Sequence, residues 1–132
     1  MKKTLLPPSW IKPRGYANGV AAVGTQVFIA GQIGWDAQAQ FQSTDLAAQT
    51  RQALQNVVAV LEQAGGRPAH LVRMTWYVTD KRDYLASAKE IGRAFREVIG
   101  NYDIAMSAVQ VVALIEDQAK VEIEATAVIP LS

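Results

Sequence analysis

Side chains with chemical reach gather on two alternating stretches of this sequence, Glu122 and Glu124 within Val121-Glu122-Ile123-Glu124-Ala125-Thr126-Ala127, and Arg73 and Tyr77 within Val72-Arg73-Met74-Thr75-Trp76-Tyr77-Val78. A period of two places the carboxylates with Thr126 on one strand face, and Arg73, Thr75 and Tyr77 on the non-aliphatic face of another. Such faces suit ion pairing and hydrogen bonding. The remaining chemistry is narrowed by what is missing. With no cysteine in 132 residues, disulfides, thiolate metal sites and cysteine nucleophiles are excluded. The one histidine, His70, sits in the turn Pro68-Ala69-His70 without the acid–base partner that a metal-free ribonuclease needs.

The chain has room for one domain, residues 1–132, and its composition is globular: half the residues are apolar and 19% are charged. Thirteen Lys and Arg against twelve Asp and Glu give a net charge of +1, so no bulk field gathers nucleic acid or anionic lipid. The apolar stretch after Lys2 and Lys3 is too short for a signal peptide or a membrane span. A soluble, cytoplasmic protein without nucleic-acid or membrane partners is expected.

These residues need a scaffold. Residues 1–13, with three prolines, are expected to form an irregular arm whose Trp10 covers part of the body. Val20 to Val23, a turn at Gly24-Thr25 and Gln26 to Ala30 predict a hairpin, ended by Gly31 and Gly34. Leu46, Ala53, Leu54, Val57, Val58 and Leu61 predict a helix between Ser43 and Ala64, capped by Ser43, Thr44 or Asp45 and stopped at Gly65-Gly66. Leu71 to Thr79 is a predicted strand with Val72, Met74, Trp76 and Val78 on one face. Tyr84, Leu85, Ala88, Ile91, Phe95, Val98 and Ile99 predict a second helix from near Asp83 to Gly100. Strands over Ser107–Leu114 and Lys120–Ile129, parted by Glu116-Asp117-Gln118, complete the α+β pattern. Two helices cover only one face of a sheet of about six strands, so the other face is either solvated or covered by another subunit.

The segments Gly15-Tyr16-Ala17-Asn18-Gly19-Val20, Ile29-Ala30-Gly31-Gln32-Ile33, Gln49-Thr50-Arg51-Gln52-Ala53-Leu54-Gln55-Asn56-Val57 and the two alternating stretches above resemble, in order and spacing, the Rid superfamily of reactive intermediate deaminases, the RidA or YjgF type. The resemblance spans nearly everything after the arm. It implies a chorismate-mutase-like fold, a homotrimer, and a small-molecule pocket at each subunit interface. In the best-known branch such pockets hydrolyse amino-acid-derived enamines and imines, with no metal or organic cofactor.

By the match, the pocket here is carried by Tyr16, by the Ala30-Gly31 backbone and by Glu122 as the group that positions or activates water; Met106 and Ala108 are further candidate ligand contacts, and Trp35 and Trp76 are candidates to line a pocket for a flat or aromatic ligand. The branch that deaminates anchors its substrate carboxylate on an arginine; Met106 stands at that position in Ala105-Met106-Ser107. A thioether donates nothing to a carboxylate, and losing the charge-assisted pair costs roughly 1.5–3 kcal/mol of binding. The match also needs a one-residue insertion near Ala113 to Asp117. Each position has a plainer reading as well: Tyr16 as a packed aromatic, Gly31 as a bulge or strand-end glycine, Glu122 as a structural carboxylate paired across the subunit interface, for example with Arg73, Met106 as filler, and Trp35 and Trp76 as core. Arg14 and Arg73 are the cations to examine as substitutes for the missing arginine.

Three functions remain open: an imine or enamine hydrolase with altered substrate choice, a trimer that binds or senses a small metabolite without turnover, and, last, an endoribonuclease. Whether the chain is an enzyme is left undecided at this level.

Overall fold

The computed structural model describes all of residues 1–132. Six strands and three α-helices run in the order β1 (Lys2–Leu5), β2 (Gly19–Ala22), β3 (Thr25–Ile33), α1 (Leu46–Glu62), β4 (Leu71–Val78), α2 (Lys81–Ala86), α3 (Ala88–Val98), β5 (Ala105–Gln110) and β6 (Val121–Ile129). Four strands form a mixed sheet in the order β3-β6-β4-β5; β4 and β5 are parallel and the other neighbours antiparallel. No helix is long and apolar enough to cross a membrane.

Alternation becomes burial directly in β6. Val121, Ile123, Ala125 and Ala127 are buried, while Glu122, Glu124, Thr126 and Val128 are not. In β4 the same holds for Met74, Trp76 and Val78, but Leu71 takes the inner place expected of Val72, because a register shift between Leu71 and Arg73 leaves Val72 as the extra residue. Helix α1 packs on β3, β6 and α3, and eighteen buried residues, among them Leu54, Leu61, Leu71, Met74 and Ile123, make one core cluster. The opposite sheet face carries Arg73, Thr75, Tyr77, Glu122 and Glu124, with Phe28 74% exposed beside them.

Helix α1 starts where the capping residues placed it: Asp45 accepts the Ala48 N–H at 2.9 Å. It stops at Gly65 and Gly66, whose N–H groups donate to the carbonyls of Glu62 and Leu61. Its polar side chains tie it to the sheet. The Gln49 amide donates to the Ser43 and Gln118 carbonyls and accepts from Lys120 N–H, and Asn56 donates to the carbonyls of Ile33 and Trp35. The loop entering β6 and the end of β3 are thereby held to one helix.

Four expectations change. The arm is not wholly irregular, since Lys2–Leu5 pairs with β2 from Lys2↔Ala22 to Leu5↔Gly19. The expected hairpin is absent: the chain turns at Gly24, but β2 pairs with β1 and β3 with β6, so the two stretches enter different sheets. The second helix starts earlier, at Lys81 behind an Asp80 cap, and breaks into α2 and α3 at Ser87, whose hydroxyl bonds to Asp83. The penultimate strand is Ala105–Gln110, set by its parallel pairing with β4, and not Ser107–Leu114; beyond it Val112 and Ile115 are fully exposed in a loop.

Candidate functional site

The loop holding Arg14, Gly15 and Tyr16 is pinned beside β5. Ala17 forms a parallel bridge with Ala105 and donates its N–H to the Ile104 carbonyl at 2.9 Å. Gly15 turns the chain with φ of 80°, a conformation that L side chains adopt at a cost. On β5 itself, Met106 pairs with Met74 and Ala108 with Trp76, so both Met106 and Ala108 follow the inner face of the sheet. Tyr16, Trp76, Met106 and Ala108 consequently line one cavity of about 550 Å³, together with Arg14, Tyr84, Ile91, Phe95 and Tyr102.

Aromatic rings dominate its wall. Trp76 meets Tyr84 edge-on with centroids 6.5 Å apart and lies 6.1 Å from Phe95, which stacks on Tyr102 at 5.6 Å. Trp76 is 5% exposed and belongs to the core cluster as well as to the cavity wall; its indole N–H is buried with no acceptor. Burial raises the Tyr84 phenol above its usual pKa, which keeps it neutral. Trp35 is elsewhere, against Phe41 at 5.9 Å, and does not join this cavity.

The other three predicted residues lie on the outer face. Between the pairs Ile29↔Ala125 and Gln32↔Ile123, β3 supplies Ala30 and Gly31 where β6 supplies only Glu124, which is a β-bulge. Gly31 is thus the bulge glycine of the plainer reading, with a further consequence. A side chain there would collide with the Glu122 carboxylate, which packs against the bare Cα. Ala30 lines a second cleft of about 450 Å³ with Phe28, Arg73, Thr75 and Glu124.

Arg73 and Glu122 form no ion pair; the ion pairs of the chain are Lys2–Asp103 and Arg51–Glu97. Arg73 shares its cleft with Glu124. Glu124 instead accepts the Tyr77 hydroxyl at 2.8 Å, and that bond, followed by desolvation and the neighbouring carboxylates, raises the Tyr77 pKa. Of the two cations considered for the missing arginine, Arg14 shares the Met106 cavity and Arg73 does not.

His70 is occupied structurally. Its Nδ1 accepts the Arg67 N–H at 3.0 Å, and desolvation first, then the charges of Arg67 and Lys2, lower its pKa. The sequence reading missed Tyr84, Phe95 and Tyr102 as cavity walls, since helical spacing marks the first two only as core.

Known proteins match this arrangement over almost the whole chain. The family described as Endoribonuclease L-PSP covers residues 11–129. A 2-iminobutanoate/2-iminopropanoate deaminase of Salmonella typhimurium is 36% identical over 131 residues, 97% of this chain and 98% of that protein. Among solved structures, the conserved Rid-family protein YyfB of Yersinia pestis, of unknown function, aligns with a TM-score of 0.85 and 31% identity over 97% of this chain and 98% of its own. Escherichia coli TdcF, solved with bound serine, aligns with a TM-score of 0.69 and 33% identity over 96% of this chain and 98% of its own. The fold is the chorismate-mutase-like α+β fold, and the chain belongs to the Endoribonuclease L-PSP family, that is, to the Rid superfamily.

Proposed function

We propose that this protein is a cofactor-free hydrolase for an amino-acid-derived imine or enamine, acting in a cleft completed between two copies of the chain. One observation carries the reading: the family-matched residues fall into two half-sites. Tyr16, Trp76, Met106 and Ala108 surround one cavity, whereas Ala30, Gly31 and Glu122 sit on the outer sheet face. A neighbouring copy on that face brings one half to the other, and a homotrimer satisfies every copy equally. It also covers Phe28.

In this cleft the Glu122 carboxylate, held against the Gly31 backbone, takes a proton from a water as that water adds to the imine carbon. The carbon–oxygen bond forms as the carbon–nitrogen π bond breaks, and Glu122 passes the proton to nitrogen to give a carbinolamine. The carbinol hydroxyl then gives its proton to nitrogen through the same carboxylate, and the remaining carbon–nitrogen bond breaks to release ammonia and a keto acid. No electrons change hands. The deaminase relatives give this chemistry its precedent. Met106 changes the specificity, because the cavity wall on β5 offers an apolar thioether where a deaminase offers a guanidinium.

The second reading is a trimer that binds a metabolite without turnover, and the apolar wall at Met106 favours it. Product release separates the two. The ribonuclease function named in the family description is disfavoured here by His70, whose Nδ1 is committed to Arg67. A cytoplasmic location fits the absence of cysteine.

The test is ammonia release from a panel of imino acids generated in place, with Glu122→Gln as the control. Release that falls at least tenfold in the variant supports the hydrolase. Saturable binding of the corresponding keto acids with no ammonia from any imine supports the binding trimer instead.

A further inference from the structure

Arg14 is the one charged residue that lines the Met106 cavity. It is exposed, and it makes no ion pair or side-chain hydrogen bond within the chain, while Lys2 and Arg51 hold the two ion pairs that form. Its loop, by contrast, is fixed by the Ala17–Ala105 bridge and the turn at Gly15. A cation is therefore presented at this cavity by a tethered backbone, with its charge uncommitted. Planar guanidinium groups match carboxylates in two parallel hydrogen bonds, and that match does not depend on which strand or loop delivers the group.

The rest of the cavity sets a size and a character. About 550 Å³ lies within the range of drug-sized ligand sites, far more than a three- or four-carbon acid fills. The wall is built of Trp76, Tyr84, Phe95 and Tyr102, with Met106 adding a polarisable sulfur of the kind that packs well on rings. Gly92 contributes in another way. It lies inside helix α3, where glycine is a poor choice, yet a Cβ added there meets nothing within 4 Å. No close packing demands glycine at 92; what its bareness does is leave the cavity open.

We infer that Arg14 replaces the missing strand arginine as the carboxylate anchor, and that the ligand is an aromatic 2-imino or 2-keto acid with its ring among Trp76, Tyr84 and Phe95. The inference rests on the proposed reading of this cavity as the substrate half of the site. It names the substrate class and the residue that selects it. Small aliphatic acids are poor ligands because their carboxylate reaches Arg14 only by leaving the aromatic wall wet.

Calorimetric titration of the full chain with phenylpyruvate and with 2-oxobutanoate tests this. The wild type is expected to bind phenylpyruvate at least tenfold more tightly than 2-oxobutanoate. Arg14→Gln should weaken phenylpyruvate binding by about tenfold or more, the loss of a charge-assisted pair. Gly92→Leu, whose Cβ enters open space on the cavity wall, should abolish it. If Gly92→Leu abolishes binding while Arg14→Gln leaves it within about twofold, the anchor assignment is overturned and the cavity reading survives. If neither variant alters the binding, or if neither acid binds, the cavity reading falls and the inference with it. Equal affinity for the two acids overturns the aromatic preference.

Discussion

The Glu122 carboxylate lies in the space that a side chain on Gly31 would occupy. Glycine at 31 therefore does two jobs, forming the bulge in β3 and letting the carboxylate of the neighbouring strand rest against the backbone. Because the colliding atoms belong to a flexible side chain, alanine there displaces Glu122 and leaves the sheet intact.

Gly31→Ala is accordingly expected to fold with a stability loss of about 1 kcal/mol, the scale of an ordinary point change. Turnover should nonetheless drop at least tenfold, close to the drop in Glu122→Gln. Thermal melts beside ammonia release check both halves; an unchanged rate contradicts the positioning of Glu122 by Gly31.

Met106→Arg restores a guanidinium at the inner face of β5. A charge-assisted pair worth roughly 1.5–3 kcal/mol corresponds to a gain of about ten- to a hundredfold in the efficiency with which 2-iminobutanoate is deaminated. Steady-state kinetics on the small imine, compared with the aromatic one, measure the exchange of specificity.

Trp76 carries a buried indole N–H without an acceptor, so its removal recovers part of what the loss of ring area costs. Trp76→Phe is expected to change stability by less than about 1 kcal/mol, against about 3–5 kcal/mol for Trp76→Ala. Denaturant melts of the two variants distinguish the unmet donor from simple packing.

Arg51 on α1 and Glu97 on α3 join the two long helices through a hydrogen-bonded ion pair, which first among its causes lowers the Glu97 pKa from its ordinary 4.5. A lowered carboxyl contributes stability above its unfolded pKa and loses it as pH falls through the folded one. Wild type should therefore melt slightly above Glu97→Gln at neutral pH, with the gap closing as pH drops below 4.5. The pair is exposed, so the gap should also shrink in salt.

Much of the fold was legible because local pattern and burial agree. The alternation in Val121–Ile129 became β6 with every odd position from Val121 to Ala127 buried, and Asp45 capped α1 as its position suggested. The misreadings share a cause, which is pairing with segments distant in sequence. Gly24 does turn the chain, but β2 finds β1 and β3 finds β6, and no local signal states that choice. The apolar stripe runs unbroken across Ser87, so the break between α2 and α3 leaves no periodicity signal. For the site, the sequence supplied Tyr16, Trp76, Met106 and Ala108 without showing that they share a cavity. It could not show that Gly31 and Glu122 lie on the opposite sheet face.

That separation makes subunit complementation the most direct test of the shared cleft. Glu122→Gln and Tyr16→Ala, each inactive alone, are unfolded together, refolded as a mixture and assayed for ammonia release from the phenylpyruvate imine. A site made from two copies regains about a quarter of the wild-type rate, the share of interfaces that join two intact halves on random assembly. A mixture as inactive as its components, from a wild type that turns the imine over, contradicts a site shared between copies.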